Sequence, residues 1–270
     1  MKDLKRRMPI VRRARDYHLY SVEGKRYLDL WQNGGHSFLG HRPGRLTTVL
    51  KDALSRGLSA DLPSVFGGRL IKALQALFPA YREFRIGRSL AEAMQLSGLH
   101  LGRTVIAADV AEPLLKACPA EETQVSFWHP LLPDPPVAEV LLPILPFAMA
   151  GAPQVVCFRG NLAPGFPEQE PVSGVLLAGL LRSIHDLQRF VMPGWLRPDL
   201  LEGCAGWRQE QLYVVPEFDP GDYERVFEAF IDAQVLLSPE APYISILPGG
   251  EISQGELGKM IGLFRRYPGE

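Results

Sequence analysis

Hydrophobic residues recur at two spacings in the central part of the chain, and their pattern predicts an α/β fold. Spacings of three and four residues predict helices over residues 43–56, 68–77, 89–101, 173–190 and 197–207. Short continuous apolar runs predict strands over residues 104–108, 124–128 and 154–158, in a sheet that is covered on both faces. Asp109 is predicted to cap a short helix over residues 110–116.

The two chain ends have a different pattern, which predicts an α+β unit. Residues 17–21 and 26–30 flank the turn Glu23-Gly24-Lys25 and predict a β-hairpin. After residue 211 the pattern predicts a strand, an amphipathic helix, two short strands and a closing helix. These elements are predicted over residues 212–215, 220–234, 235–237, 243–247 and 253–266.

Composition excludes several classes of function. The chain has 270 residues and a net charge of −1, which argues against a general role in binding polyanions such as nucleic acids. The first fifteen residues carry seven cations and one acid. They could form an arm that binds nucleic acid or acidic lipid, but a solvated arm, or one lying on a partner subunit, is the favoured interpretation.

The longest apolar stretch, residues 137–158, contains Glu139 and three prolines, and therefore predicts buried strands and turns rather than a membrane span. The three cysteines are widely spaced and lack metal-binding spacing, so free buried thiols are expected. Together these features predict a cytoplasmic protein without a membrane partner.

Residues 17–43, YHLYSVEGKRYLDLWQNGGHSFLGHRP, resemble the opening of class III aminotransferases. That family opens with an aromatic residue and a short strand, then "DG-x-RYLD", a Gly-containing stretch and "LGH-x-HP". Residues 227–239, 243–249 and 253–264 resemble the family's small domain. The resemblance implies a pyridoxal phosphate (PLP)-dependent transferase-like fold of fold type I.

The same resemblance implies a division into domains. Residues 1–42 would form an N-terminal arm and a hairpin of the small domain, and residues 209–270 the rest of that α+β domain, so that both chain ends build it. Residues 43–208 would form a reduced large α/β domain between them.

The family holds the PLP phosphate on an "SGSEA-x-EAA" turn, and residues 84–97, FRIGRSLAEAMQLS, lie at the matching place. Gly87, Arg88 and Ser89 could still hold a phosphate, because a glycine turn entering a helix offers free N–H groups. An ordinary glycine turn with a serine N-cap is the equal alternative. Trp128 and His129 could stack on an aromatic ligand, although packing in the core is favoured for them.

The residues that carry the family's chemistry are missing from their expected places. The family's Schiff-base lysine follows a strand and precedes a Gly-rich turn, and none of the seven lysines has that context. Lys116 is the least unsuitable candidate. The family's aspartate against the pyridine nitrogen lacks a counterpart, since Asp109 comes too early and the strand QVVCF is followed by Arg159. Ser245 stands where a substrate-binding arginine is expected.

The Gly-rich loop of residues 32–41 is the remaining candidate site. In the family this loop runs near the active site and the dimer interface, so Gly34, Gly35, His36 and His41 are predicted to lie at a homodimer interface or cleft. His41 belongs to the "LGH" pattern, and a structural role is favoured for it over catalysis. The histidines lack metal-binding spacing, so no metal site is predicted.

Three hypotheses follow. The favoured one is a degenerate, non-catalytic homodimer that binds a partner or a small phosphorylated ligand, with non-covalent PLP as one candidate. The second is an active PLP-dependent aminotransferase whose catalytic residues have moved. The third is the same frame reused for chemistry without PLP, through His36, His41 or Arg88.

Overall fold

A computed structural model describes residues 3–105, 110–111, 124–132 and 138–267. The chain folds as two compact units. Unit 1 comprises Met1–Pro43 and Phe190–Glu270, and unit 2 comprises Gly44–Arg189. The predicted large domain extends to residue 208, whereas residues 190–208 group with the chain ends.

Helices and strands alternate through the middle of the described chain. The helices are α1 Leu46–Ser55, α2 Val65–Leu77, α3 Leu90–Leu101, α4 Gly174–Leu187, α5 Tyr223–Asp232 and α6 Gln254–Arg266. The strands are β1 Val11–Arg15, β2 His18–Ser21, β3 Arg26–Asp29, β4 Glu83–Gly87, β5 Val110–Ala111, β6 Val125–Trp128, β7 Val140–Pro143, β8 Gln154–Phe158, β9 Trp207–Glu210, β10 Tyr213–Pro216, β11 Val235–Leu236 and β12 Ser245–Ile246.

Unit 1 is an α+β unit built from both chain ends. Strands β1, β2 and β3 form an antiparallel meander, and β11 pairs in parallel with β3. A second sheet has the order β12-β10-β9. The amphipathic helix α5 buries Tyr223, Val226, Phe227 and Phe230, as its periodicity predicts, while Ile231 is half-buried.

Unit 2 is an α/β unit with helices on both faces of one sheet. The sheet has the order β4-β8-β7-β6-β5, in which β5, β6 and β7 are parallel and β8 is antiparallel to both of its neighbours. Helices α1, α2 and α4 pack on one face, and α3 packs on the other. Because both faces are covered, β7 and β8 consist of buried residues throughout, which explains their continuous apolar sequences.

Several predicted elements differ from the structure. Residues 198–206 form successive turns instead of the predicted helix, because Gly203 and Gly206 both have a φ angle of 78°, which a helix cannot accommodate. The predicted helix over 110–116 is wrong at its start, since Val110 and Ala111 pair with β6 as a strand. The rest of that segment, with Lys116, lies outside the described residues, as do residues 106–109.

The structure also adds elements and shifts their ends. Strands β1, β4 and β9 were not predicted, and the helix predicted over 220–234 is a 3₁₀ turn, Pro220–Asp222, followed by α5. Helix α1 begins at Leu46 rather than residue 43, and α2 begins earlier than predicted, at Val65. None of the helices in the described ranges is long and apolar enough to cross a membrane.

Candidate functional site

The carboxyl ends of parallel strands are where open α/β sheets bind their ligands. In unit 2 this edge is built by the residues that follow β6 and β7. Strand β6 ends at Trp128, and His129 after it is buried, with 5% of its surface exposed. Strand β7 ends at Pro143 and continues into the buried residues Ile144 and Leu145. The described part of this edge is therefore mainly apolar.

The connection from β7 to β8 is one place in the described part of unit 2 where a strand precedes a Gly-containing turn, and Arg159-Gly160 after β8 is another. A strand followed by a Gly-rich turn is the kind of context in which the resemblance expects the Schiff-base lysine. The residues here are Ile144, Leu145, Pro146 and Phe147, all buried, and Gly151 follows with a φ of 73°. This connection contains no amine that could form an imine.

The lysines of the described chain all lie elsewhere. Their side chains are exposed, on the N-terminal segment, the hairpin turn and the outer surfaces of three helices: Lys5, Lys25, Lys51, Lys72 and Lys259. Lys5 forms an ion pair with Glu240, and Lys25 Nζ lies 3.4 Å from Glu23 Oε2. A lysine amine becomes a good nucleophile when it is desolvated in an apolar pocket, and these exposed side chains are not in such a pocket.

The residues predicted to hold a phosphate lie together at the start of α3. Ser89 is the N-cap, and its Oγ accepts a hydrogen bond of 3.2 Å from the Glu92 N–H. The Arg88 N–H donates at 2.7 Å to Oε2 of Glu92, and the Arg88 side chain forms an ion pair with Glu170. A carboxylate of the chain itself therefore occupies one of the N–H groups at this turn that could bind an anion.

Gly87 has a packing role at the same turn. A Cβ atom at this position would lie 3.1 Å from the backbone nitrogen of Ala93, so glycine permits the close approach of β4 to α3. Glu92 is the functional residue that the sequence interpretation missed. Its signal was the Ser-x-x-Glu spacing of a capping box, Ser89 to Glu92.

Trp128 lies in the core of unit 2. Its ring packs edge-on against Phe78, with centroids 5.0 Å apart and planes at 86°. Arg159 follows β8, which runs antiparallel to β7, so it lies at the opposite edge of the sheet from His129. Arg159 therefore does not lie at the carboxyl edge, where His129 is, because β8 runs opposite to β6 and β7.

The Gly-rich loop of unit 1 is held by a buried latch, consisting of Asp29, Ser37 and His41. His41 Nε2 lies 2.7 Å from Asp29 Oδ2, and Ser37 Oγ lies 3.3 Å from His41 Nδ1. The N–H groups of Trp31 and Gln32 each donate at 3.0 Å to Asp29 Oδ1. Ser37 and Asp29 are only 2% and 1% exposed, so a substrate cannot reach the serine, and the latch is structural.

The predicted interface residues are distributed unevenly over this loop. Gly34 is exposed, with a φ of 65°, whereas Gly35 is buried with a φ of 96°. His36 and His41 are half-buried. The outer tip is therefore the part of the loop that another chain could contact.

The described residues do not fit PLP as the family binds it. The anion position of α3 holds Glu92, the β7–β8 connection has no lysine, and the described residues at the carboxyl ends of β6 and β7 have no carboxylate for a pyridine nitrogen. Ser245, at the expected arginine position, is buried, and its Oγ accepts a hydrogen bond of 3.0 Å from the Ser238 N–H. No group of three or more metal-ligating side chains occurs in the described ranges.

Comparison with known proteins shows what this chain is similar to. No protein family profile matches it. It is 28% identical over 292 residues to an uncharacterized protein of Treponema pallidum, covering 90% of each chain. It is 33% identical over 102 residues to a glutamate-1-semialdehyde 2,1-aminomutase of Heliobacterium modesticaldum, covering 38% of this chain and 23% of the relative.

The fold has counterparts among solved structures. An ornithine aminotransferase from Plasmodium yoelii superimposes with a TM-score of 0.66 at 12% identity, covering 96% of this chain and 93% of that one. The predicted fold is confirmed: the chain has the mixed α/β fold of PLP-dependent transferases of fold type I.

Proposed function

We propose that this divergent, shortened, aminotransferase-like chain is a non-catalytic binding protein that forms no imine with PLP. The observation that carries the proposal is the position of the described lysines, which are exposed on the N-terminal segment, the hairpin turn and three helices, with none in the β7–β8 connection. Transamination proceeds through a lysine imine, and the described residues of the β7–β8 connection offer no amine for it. A chain without that amine retains the frame of the fold and its capacity to bind.

The start of α3 supports the same proposal. A phosphate bound there would have to displace the Glu92 carboxylate from the Arg88 N–H, or lie beside it at the cost of repulsion between like charges. We expect the native protein to bind PLP weakly and without a covalent bond.

The variant Glu92→Gln tests whether the Glu92 carboxylate hinders the binding of an anion at the start of α3. The amide has no charge, so phosphate should bind this variant more tightly, by roughly three- to tenfold. Titration with inorganic phosphate, followed by NMR of the Gly87 and Arg88 amides, measures the effect. Glu83→Gln, on β4, is the matched control. Equal affinities of Glu92→Gln and the native protein would contradict the proposed role of Glu92.

An absorption titration with PLP tests the non-catalytic proposal. With the native protein, the absorption spectrum of PLP should remain that of the free or weakly bound aldehyde. No saturable imine band should appear. Lys116→Ala separates the two main hypotheses. A saturable band in the native protein that disappears in this variant would mean that Lys116 forms the imine, and the protein would then be a candidate enzyme.

We further propose that the protein works as a cytoplasmic homodimer, with residues Gly34–His41 at the interface. The exposed tip at Asn33 and Gly34 supports this placement, and the buried free thiols of Cys157 and Cys204 are compatible with a reducing compartment. Light scattering on the purified protein should give twice the mass of one chain. The mass of a single chain would contradict the dimer.

A further inference from the structure

A cavity of about 460 Å³ lies along the lateral edge of β4 in unit 2. Its walls come from α2, β4 and the residues before and within α4, and include Ile71, Phe84, Ile86, Val172 and Leu177. This volume and this largely apolar lining are typical of sites for small organic molecules.

Two buried polar atoms on residues of this cavity have no hydrogen-bond partner. They are Ser64 Oγ and Arg85 Nε. Ser64 occupies the N-cap position of α2 but makes no capping hydrogen bond with its side chain, so the hydroxyl remains available. Buried polar atoms are normally paired, because leaving one unpaired costs about 1–3 kcal/mol. A water molecule or a polar group in the cavity would satisfy these two atoms.

Among the charged side chains around the cavity, one cation has no ion-pair partner among the described residues. Arg85 Nη1 lies 3.5 Å from Glu83 Oε2, and Arg88 forms an ion pair with Glu170. Arg82 also lines the cavity, is exposed, and makes no ion pair with any described residue. The cavity therefore favours a ligand with a single negative charge.

An extended peptide is a poor occupant, because side chains already cover the free edge of β4. The Gln169 side chain accepts at 2.7 Å from the Ile86 N–H and donates at 3.0 Å to the Ile86 carbonyl, as a neighbouring strand would. The Arg85 guanidinium donates at 2.9 Å to the Phe84 carbonyl. Strand addition would have to break these hydrogen bonds, whereas a small molecule need not.

We propose that this cavity binds a small monocarboxylate with an apolar body. The carboxylate pairs with Arg82. The apolar body displaces water from Ile71, Phe84 and Leu177. This inference does not depend on the absence of an imine, because the cavity lies on the lateral edge of β4 and not at the carboxyl edge of the sheet.

Calorimetry and ligand-observed NMR with octanoate test the proposal. Octanoate should bind saturably, and 1-octanol, which has the same apolar body without the charge, should bind more weakly. Failure of octanoate to bind the native protein, or equal binding of octanol, would overturn the proposal. Neither outcome bears on the PLP titration, so the two proposals can fail separately.

Substitutions at two neighbouring glycines in α2 test whether octanoate binds in this cavity. Gly67 lines the cavity and Gly68 does not, and a Cβ atom at either position meets nothing within 4 Å. Leucine is a better helix former than glycine, so both variants should fold. Gly67→Leu should abolish octanoate binding by filling the cavity, and Gly68→Leu should leave it unchanged. Unchanged binding by Gly67→Leu would place octanoate elsewhere and refute the site.

A second pair tests the charge. Arg82→Gln should weaken octanoate binding by about three- to tenfold, because it removes the unpaired cation. Arg69→Gln removes an exposed arginine of α2 that does not line the cavity and should have no effect. Equal affinities of the two variants would rule out Arg82 as the carboxylate partner.

Discussion

At the scale of single residues, the chain keeps two residues of the N-terminal motif in structural roles. Asp29 and His41, from "YLD" and "LGH", remain paired in the latch that holds the Gly-rich loop. The sites that would bind the cofactor have different side chains, with Glu92 at the anion position and Leu145 after β7.

His41→Ala should destabilise the protein, since it leaves the buried carboxylate of Asp29 without its histidine partner. The expected loss in the free energy of unfolding is about 1–3 kcal/mol. Urea denaturation measures it. His185→Ala, at an exposed position of α4, should change stability by less than about 0.5 kcal/mol. Equal effects of the two substitutions would refute the latch.

Glu256 makes the stability of unit 1 depend on pH in the acidic range. Burial raises the pKa of this carboxyl, but hydrogen bonds from Ser253 and His18 and the charge of His18 outweigh burial, and they lower the pKa from 4.5 to about 2. Because the folded pKa lies below the unfolded value, the stabilisation is present above pH 4.5 and is lost as pH falls toward 2.

Glu256→Gln should therefore reduce stability near neutral pH and flatten its decline between pH 4.5 and 2. Thermal unfolding at a series of pH values measures both effects. Glu251→Gln, at an exposed position, is the control. A native protein whose stability declines in acid no more steeply than that of Glu256→Gln would contradict the assignment.

At the scale of elements, the packing of α4 depends on a glycine. A Cβ atom at Gly179 would lie 2.5 Å from the Phe147 ring and 3.0 Å from the Leu50 side chain. Gly179→Ala should reduce the free energy of unfolding by about 1–3 kcal/mol through overpacking. Gly262→Ala in α6, where a Cβ meets nothing within 4 Å, should instead stabilise by about 0.5–1 kcal/mol. Stabilisation by both substitutions would show that α4 can move away from Phe147.

The elements also show which parts of the fold a sequence determines locally. The amphipathic helices α2, α4, α5 and α6 could be predicted because their buried faces repeat with the helical period. Residues 197–207 mimic that spacing, but Gly203 and Gly206 adopt the left-handed conformation and break it. Strand β4 was missed because its pairing with β8 is formed between residues far apart in sequence.

The candidate site could be predicted only in part for the same reason. A missing lysine can be read from the sequence, because the family motif fixes where the lysine should lie. The occupation of the Arg88 N–H by Glu92 depends on the geometry of the turn. The cavity beside β4 arises from the packing of α2, β4 and α4, and no local pattern indicates it.

At the scale of the whole molecule, the two chain ends fold into one unit, and residues 44–189 form the other. The sequence match to a glutamate-1-semialdehyde aminomutase is short and covers 38% of this chain. The fold itself spans 96% of the chain in the comparison with ornithine aminotransferase. Fold similarity at 12% identity supports an argument about architecture, and function has to be argued from the site.

The central claim is that no lysine of this protein forms a specific imine with PLP. Borohydride reduction in the presence of equimolar PLP, followed by peptide mass mapping, tests it most directly. We expect only scattered, substoichiometric labelling of exposed lysines such as Lys51 and Lys72. Stoichiometric labelling of one lysine, Lys116 included, would contradict the account.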